Sequence, residues 1–200
     1  MSTYSPTART WRYRAIQKKD HQEYLFHKYS ILENLCGSPP SFSTVFDKRT
    51  QKNYSRYLFN TLTFSKFNAL GQAFYSYDPS LKLLVKDVPQ NIAKILTPRA
   101  VAYMYMDDGS LKYYGHSNAM RICCESFSKE GVEILQAAMW QNFQINVSLT
   151  KRNKNGVLIG YRLAIHEAES SKFCELVRPY LVECMKYKVS DGKKGSLADK

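Results

Sequence analysis

The stretch Thr97-Pro-Arg-Ala-Val-Ala-Tyr-Met-Tyr-Met-Asp-Asp-Gly109 decides how the rest of this chain is interpreted. Thr97 is a favourable N-cap, and Pro98 suits the first helical position, where the N–H that it lacks would have no partner. Gly109 is expected to end the helix, because glycine readily takes the left-handed conformation. The pattern therefore predicts a helix over 98–108 that carries two carboxylates at its C-terminal end.

These two carboxylates, Asp107 and Asp108, lie where the helix carbonyl dipoles already point negative. A hard divalent cation with oxygen ligands would relieve the repulsion. A solvated Asp-Asp-Gly turn after a core helix is the simpler alternative, since acidic turns are common. Tyr105-Met-Asp-Asp108 is also what the palm of a reverse transcriptase presents on a β-hairpin. That site needs flanking strands, whereas a Thr-Pro cap precedes the pair here.

The charge balance indicates a polyanionic partner. The chain has 29 Lys and Arg against 17 Asp and Glu, a net charge of +12, and 15 Tyr. Such a surface is typical of nucleic-acid binding. An anionic membrane is the competing partner, but no segment has the pattern of a basic amphipathic anchor, so no membrane contact is expected. No run reaches transmembrane length, and the N-terminus lacks the apolar segment of a signal peptide.

The cysteines and histidines lack the spacing of a metal site. Five scattered cysteines without C-x-x-C spacing are expected to be reduced thiols of an intracellular protein rather than zinc ligands or disulfide partners. His21 and His27 are expected to be surface side chains, because no carboxylate or cysteine recurs at ligand spacing.

The rest of the chain alternates between strand and helix patterns. Asp20-His-Gln-Glu23 is a capping box that would open a helix to about Leu35, and Asn155-Gly156 marks a tight hairpin turn. Residues 75–95 are expected to be a connection, and 110–118 a loop. Strands are expected at 10–17, 54–63, 120–126, 146–152 and 157–165, a further hairpin within 41–53, and helices at 65–74, 128–143 and 167–181.

Residues 97–109, with Lys86-Asp-Val-Pro89 before them, resemble the second motif of the LAGLIDADG homing endonucleases of the two-motif, single-chain branch. The motif helix of that branch typically reads Thr-Pro-x-x-Leu-Ala-Tyr-x-x-Met-Asp-Asp-Gly. The resemblance extends from about Arg12 to Val189. It implies an α+β fold of two pseudo-repeated halves, each with a mixed or antiparallel four-stranded saddle sheet backed by helices. It also implies a site-specific double-strand DNA endonuclease of intron homing.

The resemblance also implies the residues of the site. Asp108 occupies the position of the metal-binding carboxylate, with Asp107 beside it and Mg²⁺ or Mn²⁺ as the cofactor. Such an ion activates water and stabilises charge on phosphate, and Mg²⁺ needs only one or two protein carboxylates. Lys86 and Lys188 occupy the positions of basic residues that steady the phosphate; the alternative for each is an ordinary surface lysine. Glu125 stands where the family commonly has Gln, which adds a negative charge near the expected DNA face.

The saddle of the family binds the DNA major groove, which admits a β-ribbon. Some of its basic side chains would contact phosphates and others base edges. The candidate DNA-binding residues are Arg12, Arg14, Arg56, Arg121, Lys151, Arg152, Lys154 and Arg162.

A weak internal repeat supports two halves. Arg14 and Arg121 lie 107 positions apart, and Ser65-Lys-Phe67 and Ser171-Lys-Phe173 lie 106 apart. We therefore expect a flexible lead-in at 1–10, a first half at 11–85, a second half at 86–190 and a disordered tail at 191–200. At this offset the counterpart of Asp108 falls at the first residue, so the first motif helix is expected to be missing.

One motif helix leaves three hypotheses. The endonuclease obtains its second carboxylate from upstream sequence or from a second chain. Alternatively, the protein is an intron maturase or a structural binder of group I intron RNA that has lost cleavage. The third hypothesis is a symmetric pair joined through the helix at 98–108. Genes of this family commonly lie in organellar introns, so the implied compartment is a mitochondrion or chloroplast.

Overall fold

The structure, a computed structural model, describes residues 10–113 and 116–189. The predicted tail at 191–200 and nearly all of the lead-in lie outside these ranges. The elements in chain order are β1 (Arg14–Lys18), α1 (Gln22–Leu32), β2 (Ser41–Asp47), β3 (Lys52–Asn60), α2 (Ser65–Phe74), β4 (Tyr75–Asp78), β5 (Leu83–Lys86), α3 (Ile92–Ile95), α4 (Pro98–Asp108), β6 (Gly109–Tyr113), β7 (Ser117–Cys123), α5 (Lys129–Phe143), β8 (Val147–Lys154), β9 (Val157–Ile165) and α6 (Glu167–Val177).

The described residues form two compact units. Unit 1 comprises the described residues up to 73 together with 77–84 and 182–185. Unit 2 comprises 74–76, 85–181 and the described residues from 186 onward. The predicted halves divided at 85–86, whereas the contacts place 182–185 in unit 1.

Unit 1 is built on an antiparallel sheet with the strand order β1-β3-β2. Ala15 lies opposite Phe59, and both pack with Leu25 of α1 into a small core. The prediction of a four-stranded sheet is wrong for this unit, because this sheet has three strands among the described residues. The residues predicted as a bare connection after α2 instead form β4 and β5, which pair with each other.

The start of α1 also differs from the sequence analysis. A 3-10 turn over Lys19–His21 precedes the helix, and no side chain caps its first turn. The predicted capping box is therefore not formed, and Asp20 instead lies 3.3 Å from the ammonium of Lys18. The predicted helix at Ser65–Phe74 is confirmed.

Unit 2 contains the antiparallel sheet β6-β7-β9-β8, with α5 and α6 packed on one face. Twenty buried residues from α3, α4, α5, α6, the sheet and adjoining segments form its core. The helix after Ser128 begins as predicted, since the Ser128 hydroxyl accepts a hydrogen bond from Gly131 N at 2.9 Å. The Asn155-Gly156 turn is also confirmed, with both φ angles positive at 51° and 78°.

The junction between α4 and β6 is the main local correction in unit 2. Gly109 is extended, with φ −89° and ψ 156°, rather than left-handed. A Cβ at Gly109 would overlap the ring of Tyr105, so glycine is required for close approach. The predicted loop at 110–118 is wrong, because β6 begins at Gly109 and pairs with β7. Among the described residues, no helix has the length and apolar character needed to cross a membrane.

Candidate metal site and nucleic-acid interface

The motif helix α4 has the predicted bounds, Pro98–Asp108. The Thr97 hydroxyl caps it by accepting a hydrogen bond from Ala100 N at 3.2 Å. Its buried side packs into the core of unit 2, while Asp107 and Asp108 are exposed at its C-terminal end. The hairpin alternative is therefore wrong, because the aspartate pair ends a helix.

Lys188 caps the C-terminal end of α4. Its ammonium donates to the carbonyl oxygens of Met106 at 2.5 Å and Asp107 at 3.4 Å. The last carbonyls of a helix have no partner within the helix, and a cation there also opposes the helix dipole. The buried hydroxyl of Tyr105 donates to the Lys188 carbonyl oxygen at 2.6 Å, and burial raises the pKa of this phenol, so it remains a neutral donor. Lys188 thus lies at the end of the helix that carries the carboxylates, and its role toward phosphate stays a prediction.

Lys86, at the end of β5, reaches the site from another direction. Its ammonium lies 5.1 Å from the centroid of the Phe127 ring. The next residue anchors the strand: the Asp87 carboxylate accepts hydrogen bonds from Val88 N at 2.8 Å and Ser128 N at 3.2 Å. A Cβ at Gly131 would overlap this carboxylate. Sequence reasoning did not assign this role to Asp87, because the bond spans 41 positions.

The electrostatics of Asp108 favour a bound cation. Loss of hydration and then the neighbouring Asp107 raise the pKa of this carboxylate. Lys86 and Lys188 lower it, and Glu125 raises it further, so two ammonium groups and three carboxylates act on one another at the end of α4. The described residues contain no group of three His, Cys, Asp or Glu that could enclose an ion. One or two exposed carboxylates fit an ion that retains several waters, as Mg²⁺ does.

Glu125 forms an ion pair that the sequence did not predict. Arg162 donates from Nε to Glu125 Oε1 at 2.5 Å, and both side chains are at least three-quarters buried. The segment after β7 crosses β9 here, since Cys124 N donates to the Tyr161 carbonyl oxygen at 3.1 Å. Gly160, with φ +141°, has no room for a Cβ against the backbone of Glu125. The absence of a side chain at Gly160 and the hydrogen bond from Cys124 to Tyr161 together place the Glu125 carboxylate beside Arg162.

The basic residues of unit 2 divide between the two faces of its sheet. We call the face opposite α5 and α6 the outer face of unit 2. Arg121 lies opposite Ala164, Arg162 opposite Thr150 and Cys123, and Arg152 opposite Gly160. These positions alternate with the buried core residues Ile122 and Leu163, so the three arginines share the outer face. Lys151 lies opposite Tyr161, on the same side as the core, and Lys154 lies beyond a register shift near the hairpin tip.

The basic residues predicted in unit 1 have a similar arrangement. We call the face opposite Ala15 and Phe59 the outer face of unit 1. It carries Arg14, opposite Asn60, and Arg56, opposite both Lys18 and Ser43. Arg56 Nε donates to the Ser43 hydroxyl at 3.2 Å. Arg12 is exposed just before β1.

Comparison with known proteins agrees with this geometry. The sequence matches the LAGLIDADG DNA endonuclease family over residues 4–173. It is 51% identical over 191 residues to DNA endonuclease I-ChuI of Chlamydomonas applanata, covering 94% of this chain and 88% of that protein. It is 28% identical to cytochrome b mRNA maturase bI2 of Saccharomyces cerevisiae, covering 84% of this chain but 39% of the maturase.

The structure has the fold of the homing endonuclease I-WcaI bound to its DNA recognition sequence, with a TM-score of 0.77 and 24% identity over 90% of this chain and 75% of that one. The predicted α+β fold and the predicted endonuclease family are therefore confirmed. The chain belongs to the LAGLIDADG DNA endonuclease family.

Proposed function

We propose that this chain is a homing endonuclease that hydrolyses phosphodiester bonds of a double-stranded DNA target, with Asp108 as the metal-binding carboxylate. The observation that carries the assignment is the exposed aspartate pair at the end of α4, where the charges of Lys86 and Lys188 act on Asp108. The net charge of +12 supports a polyanionic substrate. Binding of group I intron RNA is less favoured, since the 51% relative is a DNA endonuclease and the maturase shares 28%.

Each residue of the site has a role that follows from its position. Asp108, with Asp107 beside it, would hold a divalent ion, Mg²⁺ or Mn²⁺. When bound, such an ion lowers the pKa of water and offsets charge on the phosphate. Lys188 holds the end of α4 in place and, with Lys86, favours the approach of a phosphate by its positive charge.

The second carboxylate has a separate origin in this proposal. Of the helices within 10–113 and 116–189, only α4 ends in an aspartate pair. We propose that another segment or a second chain supplies the carboxylate that serves the other DNA strand. An organellar compartment, mitochondrion or chloroplast, is proposed from the family resemblance alone.

The deciding experiment compares cleavage of intron-less and intron-containing target DNA by wild type and Asp108→Asn in Mg²⁺. Loss of a metal ligand should remove roughly 4 kcal/mol of transition-state stabilisation, or about a 1000-fold fall in rate. DNA binding without metal should persist. The matched control is Glu133→Gln, an exposed carboxylate on α5 that pairs with Lys129 at 3.0 Å, and it should cleave like wild type.

The products on a supercoiled plasmid test the origin of the second carboxylate. Nicked circles alone mean that one strand is served, and linear product means that both are. Equal cleavage by wild type and Asp108→Asn would overturn the proposed function.

A further inference from the structure

A hydrogen bond fixes the orientation of the Arg121 side chain on the outer face of unit 2. Its Nε donates to the Ser110 hydroxyl on the neighbouring strand at 3.1 Å. Ser110 lies directly opposite Arg121 in the β6–β7 register, so both side chains stand on the same face. Neither Nη atom of Arg121 has a partner among the described residues. The Ser110 hydroxyl therefore fixes the guanidinium through Nε. The two Nη amino groups of Arg121 are left available to donate side by side, as a fork, to a ligand.

The surroundings of Arg121 allow close approach by a flat ligand. The row of residues across the four strands at this level is Ser110, Arg121, Ala164 and Ser148. Three of the four are small, so Arg121 is the one long side chain of its row. A base-pair edge in the major groove can therefore approach this row with little steric competition.

The other two arginines on this face lack this combination. Arg162 is held at Nε by Glu125, whose carboxylate neutralises its charge. Arg152 is exposed near the hairpin tip and has no hydrogen-bond partner among the described residues, so it is neither fixed nor neutralised. Arg121 is thus the arginine of the outer face that is both fixed in orientation and uncompensated in charge.

We propose that Arg121, positioned by Ser110, determines sequence specificity by donating two hydrogen bonds from its Nη atoms to the O6 and N7 acceptors of one guanine in the DNA major groove. This inference rests on the proposed function, because it names a base that the same surface recognises. The fork matches guanine, which presents two acceptors side by side on its major-groove edge. A fixed fork also loses less side-chain entropy on binding than a free one.

The strongest competing contact is a phosphate, which accepts the same fork. The two contacts differ in what they control. A phosphate contact strengthens binding equally for all sequences, whereas a guanine contact acts at one base pair. The position of Arg121 within the sheet face, rather than at the exposed hairpin tip, favours the base.

The test selects duplexes from a randomised DNA pool without metal, using wild type, Arg121→Ala, Ser110→Ala and Arg152→Ala. Each selected duplex is then varied one base pair at a time, and affinities are measured by fluorescence anisotropy. Wild type should prefer guanine at one position by about 5- to 150-fold, the range of a bidentate contact. Arg121→Ala should abolish that preference at that position alone, because alanine has no donor for the guanine acceptors. Ser110→Ala should reduce it partly, because the fork remains but is no longer fixed.

Arg152→Ala is the matched control, because Arg152 lies on the same face but no hydrogen bond from a described residue fixes its side chain. It should leave the base preference of the pool unchanged and alter affinity by a similar factor for all sequences. A uniform loss of affinity with intact base preferences in Arg121→Ala would overturn the guanine assignment. If wild type neither selects DNA nor cleaves it, the proposed function itself fails. If wild type selects and cleaves DNA but Arg121→Ala selects the same sequences, only this inference fails. Thermal melts of each variant exclude unfolding as the cause.

Discussion

The outer faces of unit 1 and unit 2 carry arginines at corresponding places but balance their charge differently. Arg56 in unit 1 is hydrogen-bonded to the neutral Ser43 and lies opposite a second cation, Lys18. Arg162 in unit 2 is bonded to the carboxylate of Glu125. The offset of 107 that joins Arg14 to Arg121 also joins Lys18 to Glu125. One position of the repeat therefore carries opposite charges in the two units.

We expect the two outer faces to contribute differently to DNA binding. Arg56 and Lys18 on the outer face of unit 1 suit contact with phosphates, since the ion pair of Lys18 with Asp20 at 3.3 Å is exposed and phosphate can replace it. Such contacts supply affinity without sequence information. The outer face of unit 2 has one cation neutralised beside the aspartate pair, which leaves Arg121 as its directed donor. The two units repeat one order of strands and helices, and they differ in the charge at one position of the repeat, which is Lys18 in unit 1 and Glu125 in unit 2.

The cores differ as well. The buried cluster of unit 1 consists of Ala15, Leu25 and Phe59, whereas that of unit 2 has twenty residues. Large apolar side chains remain exposed in unit 1, among them Phe42 at 52% and Phe46 at 51%. Since burial of apolar area is the main source of stability, unit 2 should be the more stable unit. It is also the unit that holds the aspartate pair.

The largest expected effect comes from the small core. Phe59→Ala should cost about 3–5 kcal/mol of unfolding free energy, because it leaves a cavity where few other side chains can compensate. Hydrogen exchange should rise across β1, β2 and β3 and stay low in β7 and β9. Phe173→Ala, the matched fully buried site in unit 2, should raise exchange in its own unit. Equal exchange in both units after Phe59→Ala would contradict the difference in stability.

The next effect concerns the charge balance of the outer faces. Lys18→Gln should make DNA binding less dependent on salt, lowering the slope of log affinity against log salt by about 1, since one phosphate contact releases about one counterion. Glu125→Gln should raise the slope by about the same amount, because it frees Arg162. Anisotropy titrations without metal from 50 to 200 mM salt on one duplex measure both. Changes of the same sign in the two variants would refute the opposite roles of these positions.

The smallest effect concerns how much the charge of Asp108, at the end of α4, lowers the unfolding free energy of unit 2. The pKa of Asp108 is raised in the folded state, so the folded protein holds this proton more tightly than the unfolded chain does. The charged form therefore costs stability above the folded pKa, and this cost disappears as the pH falls below the ordinary aspartate value. Without metal, Asp108→Asn should raise the unfolding free energy at pH 7 by roughly 0.5 kcal/mol, the scale of exposed charge interactions. At pH 3 the gain should vanish in thermal melts, whereas a gain independent of pH would rule out relief of charge repulsion.

Local signals were sufficient for several elements. The Thr-Pro start of α4, the Ser128 cap of α5 and the Asn155-Gly156 turn are each decided by residues within a few positions of one another. Such caps and turns depend on backbone groups close in sequence, so their energetics can be inferred without the rest of the chain. The start of the motif helix follows from them, whereas its end at the aspartate pair involves the extended Gly109 and the pairing of β6 with β7.

Contacts between residues far apart in sequence were not predictable in the same way. The Arg162–Glu125 pair spans 37 positions, and the bond from Lys188 to Met106 spans 82. Gly109 was expected to be left-handed from local preference, but the ring of Tyr105 and the pairing of β6 with β7 make it extended. Local propensity cannot anticipate which side chain occupies the space beside a glycine.

The amino-acid sequence by itself determined the motif helix, its terminal carboxylates, the basic character of the chain and the resemblance to its family. These properties depend on residue identity and short-range spacing. Only the tertiary structure decided that Lys188 caps that helix, that Glu125 neutralises Arg162, and that Ser110 fixes Arg121. Each of these contacts requires strands or segments to meet in one register, and that register is set by the burial of the whole sheet rather than by any one stretch of sequence.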